Sequence, residues 1–285
     1  MKYAFIEEQR AHHSVHRMYR NLEVSKSGFY EWRDRPLSPR ASANETLADR
    51  IVGIHVTSKE RYGRPRIHAE LRAEGLIINE KRVGKLMKVR GIEGIRPRRF
   101  RKTTDSAHDL PIAHNLLARK FDVAEMPQRN RIWAGDITYL QTREGWLYLA
   151  VVIDLASRLV VGWSMKTTMD RSLVIDAMRD AIRRRRATSG TIFHSDRGSQ
   201  YASEEFRGLL KSCGLKPSMS RKGDCWDNAC VESFFGSMKR ELRDPIWESR
   251  AIAQAAIFEY IEIWYNRVRR HSTLDYKSPE EYDSS

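Results

Sequence analysis

The sequence predicts an α/β protein: a five-stranded mixed sheet flanked by helices, preceded by a basic all-helical N-terminal region with helix-turn-helix-like units. Three observations predict it. The first third of the 285 residues is rich in Arg and Lys, with apolar positions at helical spacing. From Arg129 onward the patterns run β-β-β-α-β-α-β-α, the alternation of a mixed sheet covered by helices. Within that run, Ile192-Phe193-His194-Ser195-Asp196-Arg197-Gly198-Ser199-Gln200-Tyr201 reads as a strand that ends in a carboxylate and a Gly-containing turn. That is the edge at which α/β sheets place their chemistry.

Charge divides the chain in the same way. Residues 1–105 hold 24 Lys/Arg against 13 Asp/Glu, a net of +11, and the remainder hold 27 against 24, a net of +3. A surplus of +14 costs self-repulsion in the free protein and favours a polyanionic partner such as nucleic acid. The basic part is expected to bind and the balanced part to form a globular body. Cys213, Cys225 and Cys230 are odd in number and lack zinc spacing, so reduced thiols are expected. The N-terminus has no long apolar segment, so no signal peptide is expected. The longest strongly apolar run, Leu147 to Ile153, is too short to cross a bilayer.

In chain order, residues 1–40 hold two short predicted helices. One runs from His13 to Tyr19, and the other follows an N-cap at Ser25 or Ser27. The short connection suits a helix-turn-helix or a plain helical hairpin equally. His12, His13 and His16 have no Cys or carboxylate at ligand spacing and read as solvent-facing. Pro36 to Ala43 reads as a linker. Residues 41–102 form a basic helical DNA-binding region. Leu47, Ile51 and Ile54 mark one helix, Pro65 starts a second that Gly75 ends, and Asn79 caps a third that Gly91 ends. Arg96-Pro97-Arg98-Arg99-Phe100-Arg101-Lys102, five bases in seven residues, reads as an arm on DNA phosphates or a solvated linker. Residues 103–128 are a polar linker.

The core begins at 129. Arg131 to Leu140 is a strand with Asp136 in its middle, and Thr142 to Gly145 turns into a nearly all-apolar strand, Trp146 to Ile153. Leu159 to Ser164 completes a meander. A helix from Arg171 to Arg186 ends in four Arg, which its macrodipole favours. The strand Thr191 to Ser195 follows, then a helix from Ser203 to Cys213 and a short strand near Leu215 to Met219. A Gly-bearing loop, Arg221 to Asn228, leads to a helix capped by Asn228, and a long helix from Arg250 to Arg267 ends the core.

Asp196 alone reads as an ordinary turn residue. Asp136 does not, because an unpaired carboxylate on an apolar strand is costly. Glu232 is the third acid. On its helix Val231, Phe235, Met238 and Leu242 form the core stripe, while Glu232, Gly236, Lys239 and Arg243 form the adjoining one, left open at Gly236. Three carboxylates without neutralising bases suit hard divalent cations. Two such ions can activate the attacking oxygen and stabilise the leaving one in phosphoryl transfer.

Asp136, Asp196 and Glu232, with 35 residues between the last two, resemble the D,D-35-E triad of retroviral-integrase-like recombinases, and Lys239 matches the Lys/Arg found seven residues after the Glu. The words Trp133-Ala134-Gly135-Asp136-Ile137-Thr138-Tyr139, His194 to Tyr201, Asn228 to Phe235 and Tyr265-Asn266-Arg267 with His271 resemble the second-frame (OrfB) transposase of the IS-three family of bacterial insertion sequences. The likeness spans nearly the whole chain, including Tyr62-Gly63-Arg64.

That resemblance implies an RNase H-like, integrase-like catalytic core over 129–285, including the C-terminal tail. It implies cleavage of insertion-sequence ends and transfer of the 3′-OH strand. Asp136, Asp196 and Glu232 would be catalytic and hold Mg²⁺ (or Mn²⁺), two ions per site. By the resemblance Lys239 would contact DNA near the terminal base; Arg243 on the same stripe, and Arg98, Arg99, Arg101 and Lys102 on the basic arm, are read from the residues as further contacts to double-stranded DNA. The resemblance further implies a homo-oligomer on DNA, an OrfA partner or OrfA–OrfB fusion, and a bacterial cytoplasmic, nucleoid-associated location. The chain lacks the His-His-Cys-Cys zinc unit of retroviral integrases. An RNase H-like nuclease without strand transfer and a non-catalytic DNA-binding remnant remain open as alternatives.

Overall fold

The computed structural model describes residues 1–95, 111–117, 129–185, 187, 189–221, 228–243 and 246–285. The chain divides into two compact units, Met1–Glu93 and Gly94–Ser285. The basic run from Arg96 to Lys102, with Arg98, Arg99, Arg101 and Lys102, lies outside the described residues, as do Arg186 and most of the loop before Asn228.

In the N-terminal unit, α1 (Lys2–Gln9), α2 (Val15–Asn21) and α3 (Lys26–Asp34) enclose a small core of Ile6, Met18, Tyr19 and Phe29. Ser25 is the cap of α3: its Oγ accepts from the Gly28 N–H at 2.9 Å. α1 was not expected, because it buries a single side chain, Ile6, and so carries no apolar period. α4 (Pro39–Thr57) corrects the linker reading. The Ser38 side chain accepts from Ala41 N at 3.2 Å and Pro39 occupies the first turn, so the Ser-Pro pair starts a helix. α5 (Arg64–Ala73) and α6 (Glu80–Val89) pack with α4 through Leu47, Ile51, Ile67, Leu71, Val83 and Met87. Asn79 caps α6 as expected, accepting from Lys81 N at 2.8 Å.

In the second unit, β1 (Ile132–Thr142), β2 (Gly145–Asp154) and β3 (Val160–Lys166) form the antiparallel meander. β4 (Ile192–Ser195) and β5 (Lys216–Met219) add in parallel, giving the order β3-β2-β1-β4-β5. The expected five-stranded mixed sheet of an RNase H-like core is present. Strand alternation sorts its side chains. Trp133, Ala150, Val152, Val161 and Phe193 join one core with α7 (Arg171–Arg185), α8 (Ser199–Ala202) and α9 (Glu204–Ser212). Leu149, Val151 and Ile153 are buried on the other face. There β1 packs with α10 (Ala229–Glu241) and α11 (Arg250–Phe258).

Two glycines permit close approaches. A Cβ on Gly162 would stand 2.4 Å from both Ala177 O and Ala181 N, so α7 lies directly on β3. A Cβ on Gly135 would stand 2.6 Å from the Phe193 ring.

The expected last helix runs to Val268, but its second half, Glu259–Val268, is π-helical. α12 (Pro279–Ser284) closes the chain behind a capping box at Ser278. The basic end of α7 is neutralised by more than its macrodipole. Arg184 pairs with Asp180 at 2.9 Å and Glu262 at 2.7 Å, and Arg185 with Asp283 at 2.6 Å. No helix among the described residues is long and apolar enough to cross a membrane. Cys213 and Cys230 are free thiols.

Candidate active site

Register and alternation bring the two aspartates together. Ala134 pairs with His194 where β1 and β4 run in parallel. Asp136 lies two residues beyond Ala134 and Asp196 two beyond His194. Both therefore follow the side-chain parity opposite to Trp133 and Phe193, toward the face that carries α10. Glu232 stands in the first turn of α10.

Each aspartate is held locally. Asp136 Oδ1 accepts from the Ile137 N–H at 2.8 Å, and Asp196 Oδ1 accepts from the Gly198 N–H at 2.9 Å. The loop after β4 is tied to neighbouring segments by its side chains. Arg197 Nε donates to Ser220 O at 2.7 Å, and Gln200 Nε2 donates to Met169 O at 3.1 Å. His194 is fully buried and bonded through both ring nitrogens, to Ser218 Oγ at 2.9 Å and Ser220 Oγ at 3.2 Å, so it fastens β4 to β5.

The three acids act on one another. Burial pushes the Asp136 carboxyl well above the usual carboxylate range, and the charges of Asp196 and Glu232 push it further. Burial and then Asp196 raise Glu232 to about 7. The Tyr201 hydroxyl, raised first by burial, also carries the influence of both aspartates. This differs from Asp154, whose buried carboxylate accepts from the backbone of Asn130, Ala156 and Ser157 and serves the turn after β2. Among the described residues no group of three or more His, Cys, Asp or Glu is gathered to metal-holding distance. The acids are in electrostatic range of one another, short of closure around an ion.

The stripe beside Glu232 is only partly as expected. Lys239 lies on α10, its Nζ 4.9 Å from the centre of the Tyr139 ring. Arg243 has left the helix: α10 ends at Glu241, and Arg243 adopts a left-handed backbone with φ of 63°. Gly236 does not leave bare surface, because Arg240 Nη1 lies 3.2 Å from where its Cβ would be. Phe234 joins Val231, Phe235 and Met238 in the core, which widens the apolar stripe.

An Integrase core domain model matches residues 126–225, a second one matches 213–279, and an HTH-like domain model matches 42–100. The chain is 45% identical over 287 residues to Transposase InsF for insertion sequence IS3A of Escherichia coli (strain K12), covering 100% of this chain and 99% of that one. The chain belongs to the IS3 family of transposases. Its relatives also include the insertion element IS600 uncharacterized 31 kDa protein of Shigella sonnei, at 42% identity over 90% of this chain and 93% of that one. Similar solved structures include the simian T-cell lymphotropic virus intasome, at 17% identity over 82% of this chain and 74% of that one, with a TM-score of 0.47. The HTLV-2 integrase catalytic core domain in complex with magnesium is 22% identical over 54% of this chain and 96% of that one, with a TM-score of 0.41.

Three supports of this cluster do not show as such in the sequence. Asn228 was expected to cap α10, but its side chain makes no cap bond; its Nδ2 donates to Gly135 O at 3.3 Å, beside Asp136. Arg158 Nη1 meets Cys230 Sγ at 2.5 Å in the first turn of α10, two residues before Glu232. At the other end Glu241 is buried and accepts from Arg269 Nε at 2.8 Å, Trp264 Nε1 at 2.9 Å and Tyr260 Oη at 3.2 Å. Only the last had a signal: a Glu on a helix face followed by polar-headed aromatics and Arg at helical spacing.

Proposed function

We propose that this transposase cleaves the ends of its insertion sequence and transfers the freed 3′-OH to another DNA phosphodiester at one metal-dependent site, with Asp136, Asp196 and Glu232 as the catalytic carboxylates. One observation carries the reading. Acids from β1, the tip of β4 and α10 lie toward one sheet face, where burial and then the charge of Asp196 raise the proton affinity of both Asp136 and Glu232. Carboxylate oxygens of this kind are the donors a hard dication takes, so the residues fit the ion. When bound, Mg²⁺ (or Mn²⁺), two ions in this reading, supplies Lewis-acid stabilisation of the attacking and leaving oxygens.

The chain's own residues would do the rest. Asp136 within β1 and Asp196 just past the end of β4 would hold the ions, and Glu232 would hold one of them from α10. Lys239 and Arg243 would hold the DNA backbone near the reacting end, as the basic segment with Arg98, Arg99, Arg101 and Lys102 would hold it farther off. The HTH-like region would read the ends. A homo-oligomer on DNA, an OrfA partner or fusion, and a nucleoid-associated cytoplasmic location complete the proposal. The test is a strand-transfer assay with a pre-cleaved insertion-sequence end and Mg²⁺. Joined products are expected, and hydrolysis without joining would leave only a nuclease.

A further inference from the structure

Beside the three acids, β1 and α10 share a second feature with β2. Tyr139 and Trp146 meet diagonally across the β1–β2 ribbon, with ring centres 5.1 Å apart and planes at 83°. They remain 42% and 44% exposed, although rings of this size are usually buried. The Lys239 ammonium stands 4.9 Å from the centre of the Tyr139 ring.

Two spacings coincide here. Tyr139 is three residues beyond Asp136 on β1, about 10 Å at the rise of a strand. Lys239 is seven residues beyond Glu232 on α10, also about 10 Å at the rise of a helix. Tyr139 stands at an odd offset from Asp136 and so follows the opposite side-chain parity; it is Lys239, reaching from α10 to the Tyr139 ring, that connects the pair of rings to the elements carrying the acids.

The end of the ribbon is braced. Arg143 N donates to Trp247 O at 2.9 Å, Trp247 N donates to Gln141 O at 3.0 Å, and Arg250 N donates to the Glu144 carboxylate at 2.9 Å. Rings on braced strands need little ordering when a ligand arrives.

Perpendicular rings form two walls of a corner. A planar group that stacks on one wall meets the edge of the other, and the adjacent cation suits a phosphate. In a paired duplex the base faces are covered by their neighbours, so the group that fits is an unpaired base. We propose that Tyr139 and Trp146 form a stacking platform for an unpaired base of the DNA strand that Lys239 holds, close to the reacting end. The proposal rests on the reading of this site as a DNA-joining centre.

The test uses the full chain carrying Asp136→Asn, so that DNA is bound and not consumed. The probe is a duplex with a three-nucleotide single-stranded overhang carrying 2-aminopurine, and the control is a duplex closed by hairpins at both ends. The fluorophore is expected to be quenched on binding. Trp146→Ala should abolish the quench and weaken overhang binding about tenfold more than control binding, within the range of one base–aromatic stack. Trp146→Leu, which keeps apolar bulk without a ring, should behave like Trp146→Ala, and Trp146→Phe should retain the quench. An intact quench in either ringless variant, or equal losses on both DNAs, overturns the platform. Because the readout is binding by a disabled chain, it is separate from strand transfer. Normal joining by the unsubstituted chain without a quench would sink the platform and leave the function standing.

Discussion

Asn228 reaches across from the start of α10 and donates its side-chain amide to the Gly135 carbonyl, 3.3 Å away, one residue before Asp136. This bond ties the helix that carries Glu232 to the strand that carries Asp136. A single neutral hydrogen bond contributes about 0.5–1.5 kcal/mol net, but a displacement of about 1 Å at a reacting centre can cost about 100-fold in rate. Asn228→Ala is therefore expected to lower the melting temperature by only a few degrees and strand transfer by at least tenfold. Paired measurements of unfolding and joining rate on the purified variant check this. Proportionate small losses in both would make Asn228 merely structural.

The far end of α10 depends on charge. Glu241 and Arg269 are 7% and 5% exposed at the side chain and 2.8 Å apart. Glu241→Gln keeps an acceptor for Tyr260 and Trp264 but leaves the Arg269 guanidinium buried without its anion. Breaking such a pair costs about 3–5 kcal/mol. Adding Arg269→Met removes the stranded charge and is expected to recover most of that loss. Urea unfolding of the single and double variants measures both steps.

Burial, and after it the mutual repulsion of the acids, makes stability depend on pH at this site. The folded-state values of Asp136 and Glu232 lie above their ordinary ones, Glu232 at about 7. The folded chain thus binds these protons more tightly than the unfolded chain. The stability they contribute is present below pH ~4, the usual carboxylate range, and is lost as pH rises through the folded values. In metal-free buffer the melting temperature should fall between pH 5 and pH 8 on this account. Asp136→Asn should flatten that slope and raise the melting temperature at pH 8 by about 2–4 °C, the effect of roughly 1 kcal/mol in a domain of this size. Differential scanning calorimetry across pH decides it, and a lower melting temperature for Asp136→Asn would refute the repulsion.

Much of the core could be read from the sequence, because its signals are local. A mid-strand Asp on an apolar strand, a strand that runs into Asp196 and a Gly turn, and a helix with an acid beside its apolar stripe each show in a few residues. The element order points to a five-stranded mixed sheet, and the structure supplies its strand order. What could not be read depends on where side chains end. Asn228 has the chemistry of a cap and goes to Gly135 instead. Arg240 covers Gly236, and Arg243 leaves the stripe because the helix stops two residues earlier. Ser38-Pro39 has the composition of a linker and the geometry of a helix start. α1 lacks a period because it buries only Ile6.

The most direct test is strand transfer by Asp136→Asn, Asp196→Asn and Glu232→Gln, each assayed on a pre-cleaved insertion-sequence end with Mg²⁺ alongside a DNA-binding measurement. Each substitution removes a charge while keeping shape. All three should lower joining by about 1,000-fold or more, the scale on which removed catalytic groups act, while DNA binding persists. Joining at wild-type rate by any one of the three would contradict the assignment of that acid to the catalytic centre.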